Sequence, residues 1–533
     1  MNRTALVQNN YLIGIILILL VPALFINLGV SPLITDEATR GLVAFEMKQS
    51  GNLITPTIHG EYYFNKPPLY NWILLGFFNL FNQYSEWVLR LPALISLLIF
   101  GWIIYDTTRR EMGARTGFMS ALLFISCGRI LFYDSMRGLI DLSFSMIVFL
   151  NFYLIYLFLK KKQYFTLYIA SYFLTSAAFL MKGLPAVVFQ ALTLLAALAY
   201  FKSLRKLFHP SHLAGLAVFV LLVGGYYYLL WQDSREPEFF SRLVTQSTTR
   251  TFIRHGFWKT VQYIFMFPFE QVYHLLPWSI LFVFLFSKSF YRRLLANSYQ
   301  GYLALVFAVN IPVYWTSFGS HPRYIFMLYP ILFILLSDYY YHLDRKDKFY
   351  RIFWDIMLIS FGLALILISG YFFTQSVSGS GKAVIVYSFT LAAVLTAYFF
   401  MWKKRNTRVE WMIISLLCLR IFFDLIVLPD REVNMPQYQE IQAAERIDEI
   451  TRNRKLLLTP TAPVTHEFAF YMSTARNEII RKDYGDLRDG VFYISDDTDP
   501  LREGEFKILE FESSLDRSKL RMSLITSAKD PQQ

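Results

Sequence analysis

What most limits this chain is a feature that repeats. Apolar runs of about 20 residues, each long enough to cross a bilayer as a helix, recur between short polar breaks. Inside a bilayer every backbone N–H and C=O must be satisfied within the protein, so such runs fold as helices. Counting on that rule gives roughly 13 spans. They lie near 11–30, 87–106, 116–134, 139–159, 164–181, 185–201, 213–231, 276–290, 299–317, 323–341, 352–373, 383–402 and 410–428. The stretch 68–82 is apolar but short and follows Pro67-Pro68, so it is expected at the interface or half inside the membrane. The run from Tyr11 to Val30 follows Arg3 as a signal peptide would. It is longer than a usual signal core and has no small-residue cleavage site before Asp36, so it reads as a first transmembrane helix.

Composition excludes the soluble classes. The chain is 55% hydrophobic and only 17% charged, against about 25% charged residues in a typical soluble domain. The net charge of +12 does not point to nucleic acid, because the cations sit in short clusters between apolar runs. Arg109, Arg110 and Arg115 form one cluster, Lys160 to Lys162 the next, and Arg345, Lys346, Lys348 and Arg351 a later one. All fall on one side of the counted spans, which the positive-inside tendency makes cytoplasmic. The N-terminus is then expected inside and the C-terminus outside. Cys127 and Cys418 both lie in apolar segments, which gives no support to a disulfide framework.

Two outer loops are long, 31–86 and 232–275, and long ordered loops tend to be functional. The organisation expected is a transmembrane domain over 1–429 carrying these loops, then a small soluble α/β domain over 430–533 outside the membrane. In that tail Ile441, Ala444, Ile447 and Ile450 recur at three-residue steps, predicting a helix over 437–452. Strands are predicted at 455–458, 490–495 and 506–511, with turns at Gly485, Asp489-Gly490 and Asp499-Pro500.

The first outer loop opens on adjacent acids, Asp36 and Glu37, and closes on Asn65-Lys66-Pro67-Pro68. A short helix is predicted from Asp36 to Ser50, stopped by Gly51. Either acid at its start can cap it and favour its dipole, or can project into a cavity as a general base. Spacing alone leaves both open. Lys66, held by two prolines that keep the backbone out of a helix, can offer a point charge to a phosphate or snorkel to the headgroups. Arg137 and Asp141 stand at the outer end of a span pair. A carboxylate entering the bilayer is a functional candidate by default, although an Arg137–Asp141 helix-end pair also accounts for it. Lys182 sits in the outer turn Lys182-Gly183-Leu184-Pro185, and His321 and Arg323 sit at the mouth of a later span. Arginine can fork onto phosphate oxygens. Arg254 and His255 make the loop 232–275 a candidate substrate loop, with His321 a further candidate for substrate contact. The outward histidines show no metal-ligand spacing, and HExxH and paired CxxC motifs are absent. No cofactor or metal is assigned, and a divalent ion stays open. With no P-loop or GxGxxG cradle, a nucleotide donor is not suggested.

These motifs resemble a known family. Asp36-Glu37 with Arg40 and the Ser50-Gly51-Asn52 turn, Tyr63-Phe64-Asn65-Lys66-Pro67-Pro68 with Trp72, Arg90-Leu91-Pro92, Asp141, Lys182-Gly183-Leu184-Pro185, Pro277-Trp278 and Arg323-Tyr324 carry the resemblance. It is to the GT-C integral-membrane glycosyltransferases of the dolichyl-phosphate-mannose protein mannosyltransferase type. Within them it is to the bacterial branch containing 4-amino-4-deoxy-L-arabinose–lipid A transferase. The resemblance implies an inverting transfer of a sugar from a polyprenyl-phosphate carrier to a lipid or protein acceptor, on the outer face of a bacterial inner membrane. It also implies Asp36 as the key carboxylate, Asp141 as a second functional acid and Lys66 as a binder of donor phosphate. The alternative is a transporter or flippase for a lipid-linked glycan. It is disfavoured because no internal repeat is seen and the polar residues gather at span mouths rather than mid-span.

Overall fold

The computed structural model describes residues 3–236, 241, 245, 257–343, 345–376, 381–432, 435–497, 499, 505–515 and 518–527. Among them, seven helices are long and apolar enough to cross a membrane: Glu86–Met112, Ile140–Lys160, Tyr164–Lys182, Pro210–Ser234, Lys348–Tyr371, Gly381–Lys403 and Arg405–Arg431. Two sharply bent pairs, Ala114–Ile125 with Gly128–Met136 and Lys288–Ala296 with Ser298–Trp315, raise the number to nine. Tyr11–Phe25, Leu69–Phe81 and Pro185–Tyr200 are apolar but shorter. The expected class, a polytopic helical membrane protein with a small C-terminal α/β domain, is what the structure shows. Among the described residues, seven to nine helices meet the length and composition required, and the expected count of about 13 spans is not confirmed. The run 276–290 folds largely as a 3₁₀ helix, Trp278–Phe286, behind Pro277. The run 323–341 divides into a 3₁₀ turn, Pro322–Ile325, and a helix of 13 residues, Tyr329–Tyr341. Apolar length read from sequence passes over such breaks.

The chain forms two compact units. The first comprises Met1–Leu28, Ala93–Gly225 and Phe240–Leu428. In it, the helices Ile140–Lys160, Tyr164–Lys182 and Pro185–Tyr200 pack on one another. Pro210–Phe219 lies against Tyr164–Lys182 at Gly215, where a Cβ would come within 2.8 Å of the Tyr168 carbonyl oxygen. Small residues permit this kind of approach between spans, and polar side chains add hydrogen bonds across them. Asn151 donates to Thr175 Oγ1 at 3.1 Å, and the hydroxyls of Ser120 and Ser337 are 2.8 Å apart.

The second unit comprises Gly29–Pro92, Tyr226–Phe239 and Pro429–Gln533. Its first helix, Thr35–Ser50, ends at Gly51 with φ +71°, a left-handed cap that glycine adopts without Cβ strain. A small hairpin follows, β1 (Thr57–Ile58) and β2 (Glu61–Tyr62). The C-terminal segment builds a four-stranded sheet from β3 (Leu456–Leu458), β4 (Phe492–Asp496), β5 (Glu505–Leu515) and β6 (Ser518–Ser527). Strand order is β3-β4-β6-β5, with β3 parallel to β4 and the other pairs antiparallel. Two helices, Pro436–Ile450 and His466–Arg476, supply Ile447, Phe468 and Met472 to a core shared with Leu456, Ile494 and Leu524. The first helix and three of the strands fall where the periodicity puts them. The helix His466–Arg476 and strand β6 are additions that it did not indicate.

Candidate active site

In the first unit, three of the singled-out residues converge. Asp141 begins the helix Ile140–Lys160 and is 3% exposed. Its Oδ1 accepts from Lys182 Nζ at 2.5 Å, and its Oδ2 lies 3.2 Å from Arg323 Nε. Lys182 comes from the end of the following span and Arg323 from the 3₁₀ turn Pro322–Ile325, so three separate elements meet at one carboxylate. The Lys182 ammonium also stands 4.2 Å from the centre of the Tyr324 ring and 5.0 Å from that of Phe144. Two cations around one anion leave a net positive charge in a largely buried place, which favours a further anion. Nearby, Arg129 donates to Asp134 Oδ2 at 2.6 Å, and Arg129 and Arg137 both lie over the Tyr133 ring. Arg137 stands over the ring of Tyr133, with 5.5 Å from its guanidinium carbon to the ring centre. Neither Arg129 nor Asp134 was singled out from the sequence, since a paired charge in an apolar run has no spacing signature. His321 is exposed, with its ring edge-on to Tyr324 at 5.4 Å. Arg254 and His255 lie outside the described residues.

In the second unit, Asp36 and Glu37 have opposite surroundings. Asp36 is exposed. Glu37 is fully buried, and its two oxygens accept from Arg90 Nε at 3.0 Å and Nη2 at 3.3 Å. Glu37 Oε2 also accepts from the Ile34 amide at 3.1 Å, the reach-back of a third-position glutamate that closes a helix start. Arg90 in turn donates to the Pro32 carbonyl at 3.1 Å. Glu37 thus fixes the turn from which Asp36 projects. Arg40 donates to Tyr63 Oη at 2.6 Å, joining the helix to the Tyr63–Pro68 segment. Lys66 in that segment is half-buried.

The rest of the first loop is held just as closely. Glu46, buried, accepts from Thr57 Oγ1 at 2.7 Å and from the amides of His59 and Gly60 at 2.6 and 3.1 Å. Burial pushes the Glu46 carboxyl up, against those hydrogen bonds and the charge of Arg481. Burial also drives His59 down to about 4. Asn52 caps its own turn by accepting from Ile54 N and Thr55 N, and Asp233 accepts from both Asn52 and Thr55. Trp72 Nε1 donates to the Leu53 carbonyl at 2.8 Å. Among the described residues, no group of three or more His, Cys, Asp or Glu is placed to hold a metal ion.

This fold, with its spans and small C-terminal sheet domain, is shared with solved structures. Residues 65–231 match the family model described as dolichyl-phosphate-mannose-protein mannosyltransferase. The crystal structure of ArnT from Cupriavidus metallidurans bound to undecaprenyl phosphate shares the fold with a TM-score of 0.69 at 17% identity, covering 98% of each chain. The apo structure of the same protein gives 0.67. In sequence, an uncharacterised protein of Aquifex aeolicus is 26% identical over 61% of this chain and 63% of its own length. The undecaprenyl phosphate-alpha-4-amino-4-deoxy-L-arabinose arabinosyl transferase 1 of Proteus mirabilis is 29% identical over 30% of each. The chain therefore spans less than two thirds of these two relatives.

Proposed function

We propose that the protein is an inverting glycosyltransferase of the bacterial inner membrane. It moves a sugar from a polyprenyl-phosphate carrier to an envelope acceptor, a lipid A-like glycolipid or a protein or glycan, on the non-cytoplasmic face. One observation carries the reading: Lys182 and Arg323 converge on the buried Asp141, leaving an excess of positive charge at span ends. This charge suits a phosphate that must leave, and it sits in a fold shared with a protein whose structure holds undecaprenyl phosphate.

An acceptor oxygen attacks the anomeric carbon from the face opposite the phosphate. The carbon–oxygen bond to phosphate breaks, and its electron pair passes to the phosphate oxygen. Cations there stabilise the charge as it develops. Lys182, Arg323, Arg137 and Lys66 are assigned to the donor phosphate, and Asp141 holds the first two in place. Asp36, exposed at the start of its helix, takes the proton of a hydroxyl acceptor. Where the acceptor is already an ionised phosphate it orients rather than deprotonates. Glu37, tied to Arg90, fixes its direction.

The test is direct. Purified protein in proteoliposomes is given labelled polyprenyl-phosphate sugars and envelope extract, and the products are read by mass spectrometry. Sugar appears on an acceptor with wild type. Asp36→Asn loses transfer by at least about 100-fold, at the low end for general acid–base groups, while inserting normally. Translocation of the lipid-linked sugar without transfer, or full activity of Asp36→Asn, overturns the reading.

A further inference from the structure

The helix His466–Arg476 of the C-terminal segment reaches the Asp36 helix through three side chains, and the contacts bracket Asp36. Tyr471 Oη accepts from the Leu33 amide at 2.9 Å. Glu467 Oε1 accepts from Thr35 Oγ1 at 3.0 Å. His466 Nδ1 lies 2.6 Å from Thr39 Oγ1. Residues on both sides of Asp36 are thus held by one helix.

Hydrogen bookkeeping fixes the middle of this arrangement. A threonine hydroxyl has one hydrogen. Thr39 spends it on the Thr35 carbonyl at 2.6 Å, the bond one turn back along its own helix. The contact with His466 must then run the other way, with Nδ1–H donating to Thr39 Oγ1. The tautomer of the ring follows from its partner, as usual for histidine. His466 is half-buried, and burial holds its imidazole below the ordinary histidine range. The charged and titratable groups that act on it are Arg40 and Asp36 on the first helix and His59 in the following loop. Asp36 therefore acts on the His466 ring through space, although Thr39 makes the bond.

We propose that His466 is a positioning residue for Asp36. It donates from Nδ1 to Thr39, while Glu467 and Tyr471 hold Thr35 and Leu33, so the C-terminal segment sets the direction of the acid. The inference rests on the proposed transferase reading and gives the C-terminal domain a part in the same reaction. The role is selective. It concerns the rate of the bound complex, not donor affinity, because none of these three side chains is assigned to the donor phosphate.

Two readouts test it, and only one needs activity. The first is transfer from undecaprenyl-phosphate-linked 4-amino-4-deoxy-L-arabinose to lipid A by the full-length protein in proteoliposomes. His466→Ala lowers kcat on the order of 10- to 100-fold, the scale of a misplacement near 1 Å, with the donor KM within about threefold. His466→Asn restores most of the rate, because its amide nitrogen replaces Nδ1–H. Thr39→Val falls with His466→Ala, and the double variant is no worse than either, as expected of two groups acting as one unit. The second readout is amide hydrogen exchange over 35–41. It speeds in His466→Ala and Thr39→Val and returns in His466→Asn, with the remaining helices unchanged.

Wild-type kcat in His466→Ala alongside an inactive Asp36→Asn overturns the proposal and leaves the transferase reading intact. Additive losses in the double variant, or His466→Asn as poor as alanine, overturn it too. An active Asp36→Asn overturns the transferase reading instead. Should the chosen sugar not be transferred at all, unchanged exchange over 35–41 in both single variants overturns the tether by itself.

Discussion

Asp36 and Glu37 show how far apart two adjacent carboxylates can be in physical terms. Glu37 is sealed with Arg90, so removing its charge strands a buried guanidinium. Breaking a buried pair from one side costs about 3–5 kcal/mol. Glu37→Gln is expected to lower the thermal midpoint clearly, whereas Asp36→Asn, at an exposed position, leaves it within about 1 kcal/mol of wild type; scanning calorimetry of the two variants decides this. Glu467 gives a prediction in pH. Burial, with the neighbouring Glu440 and Glu37 carboxylates adding to it, raises the Glu467 carboxyl from 4.5 to about 7. The folded protein then holds a proton that the unfolded chain has released. This contribution to stability is whole below about 4.5 and is lost as pH rises through 7. Glu467→Gln keeps an acceptor for Thr35 but cannot ionise. Its stability relative to wild type should climb between pH 4.5 and 8, by on the order of 2–3 kcal/mol. A difference that stays flat with pH rules the account out.

At the scale of elements, the start and stop of the first loop helix were open to reading, because their causes are local. Acids at the N-terminus and a glycine at the C-terminus suffice, and Gly51 adopts the positive φ that its position asks for. The helix His466–Arg476 had a weaker signal, a Thr465 cap whose hydroxyl accepts from Phe468 N. Its reason for lying where it does is distant in sequence. Gly41 on the Asp36 helix faces Leu89 and Phe470, and a Cβ there would sit 2.6 Å from Leu89 Cδ1 and 2.8 Å from Phe470 Cε2. No periodicity in residues 466–476 announces a glycine more than 400 residues earlier. Gly41→Ala must push one of those side chains aside. Overpacking of this kind costs about 1–3 kcal/mol, partly returned by the helix preference of alanine over glycine, about 1 kcal/mol. A net loss in midpoint, recovered by adding Phe470→Leu to make room, is the expected result. A stabilised single variant would mean the two helices are not in close contact.

At the scale of the molecule, the membrane class was legible because the bilayer imposes one length on every span, and apolar composition reports it. The individual spans were less so, since a proline such as Pro277 or a 3₁₀ turn such as Pro322–Ile325 breaks a run without changing its hydropathy. The charged residues behaved similarly. Asp141, Lys182 and Arg323 could each be suspected alone from lying near span ends, but their meeting at one carboxylate depends on tertiary packing that no spacing encodes. Orientation remains the strongest constraint on the proposed chemistry, because a lipid-linked donor, its acceptor and all the assigned groups must face one compartment. The positive-inside tendency predicts Lys161 on the cytoplasmic side and both Asn65 and His321 on the other. All three are exposed. In a background with Cys127 and Cys418 replaced, Asn65→Cys and His321→Cys should react with a membrane-impermeant maleimide added outside. Lys161→Cys should react only after the membrane is opened. If Asn65→Cys and His321→Cys label from opposite sides, the two loops open on different compartments, and the proposed assignment of Lys66 and Arg323 to the donor fails whatever the fold.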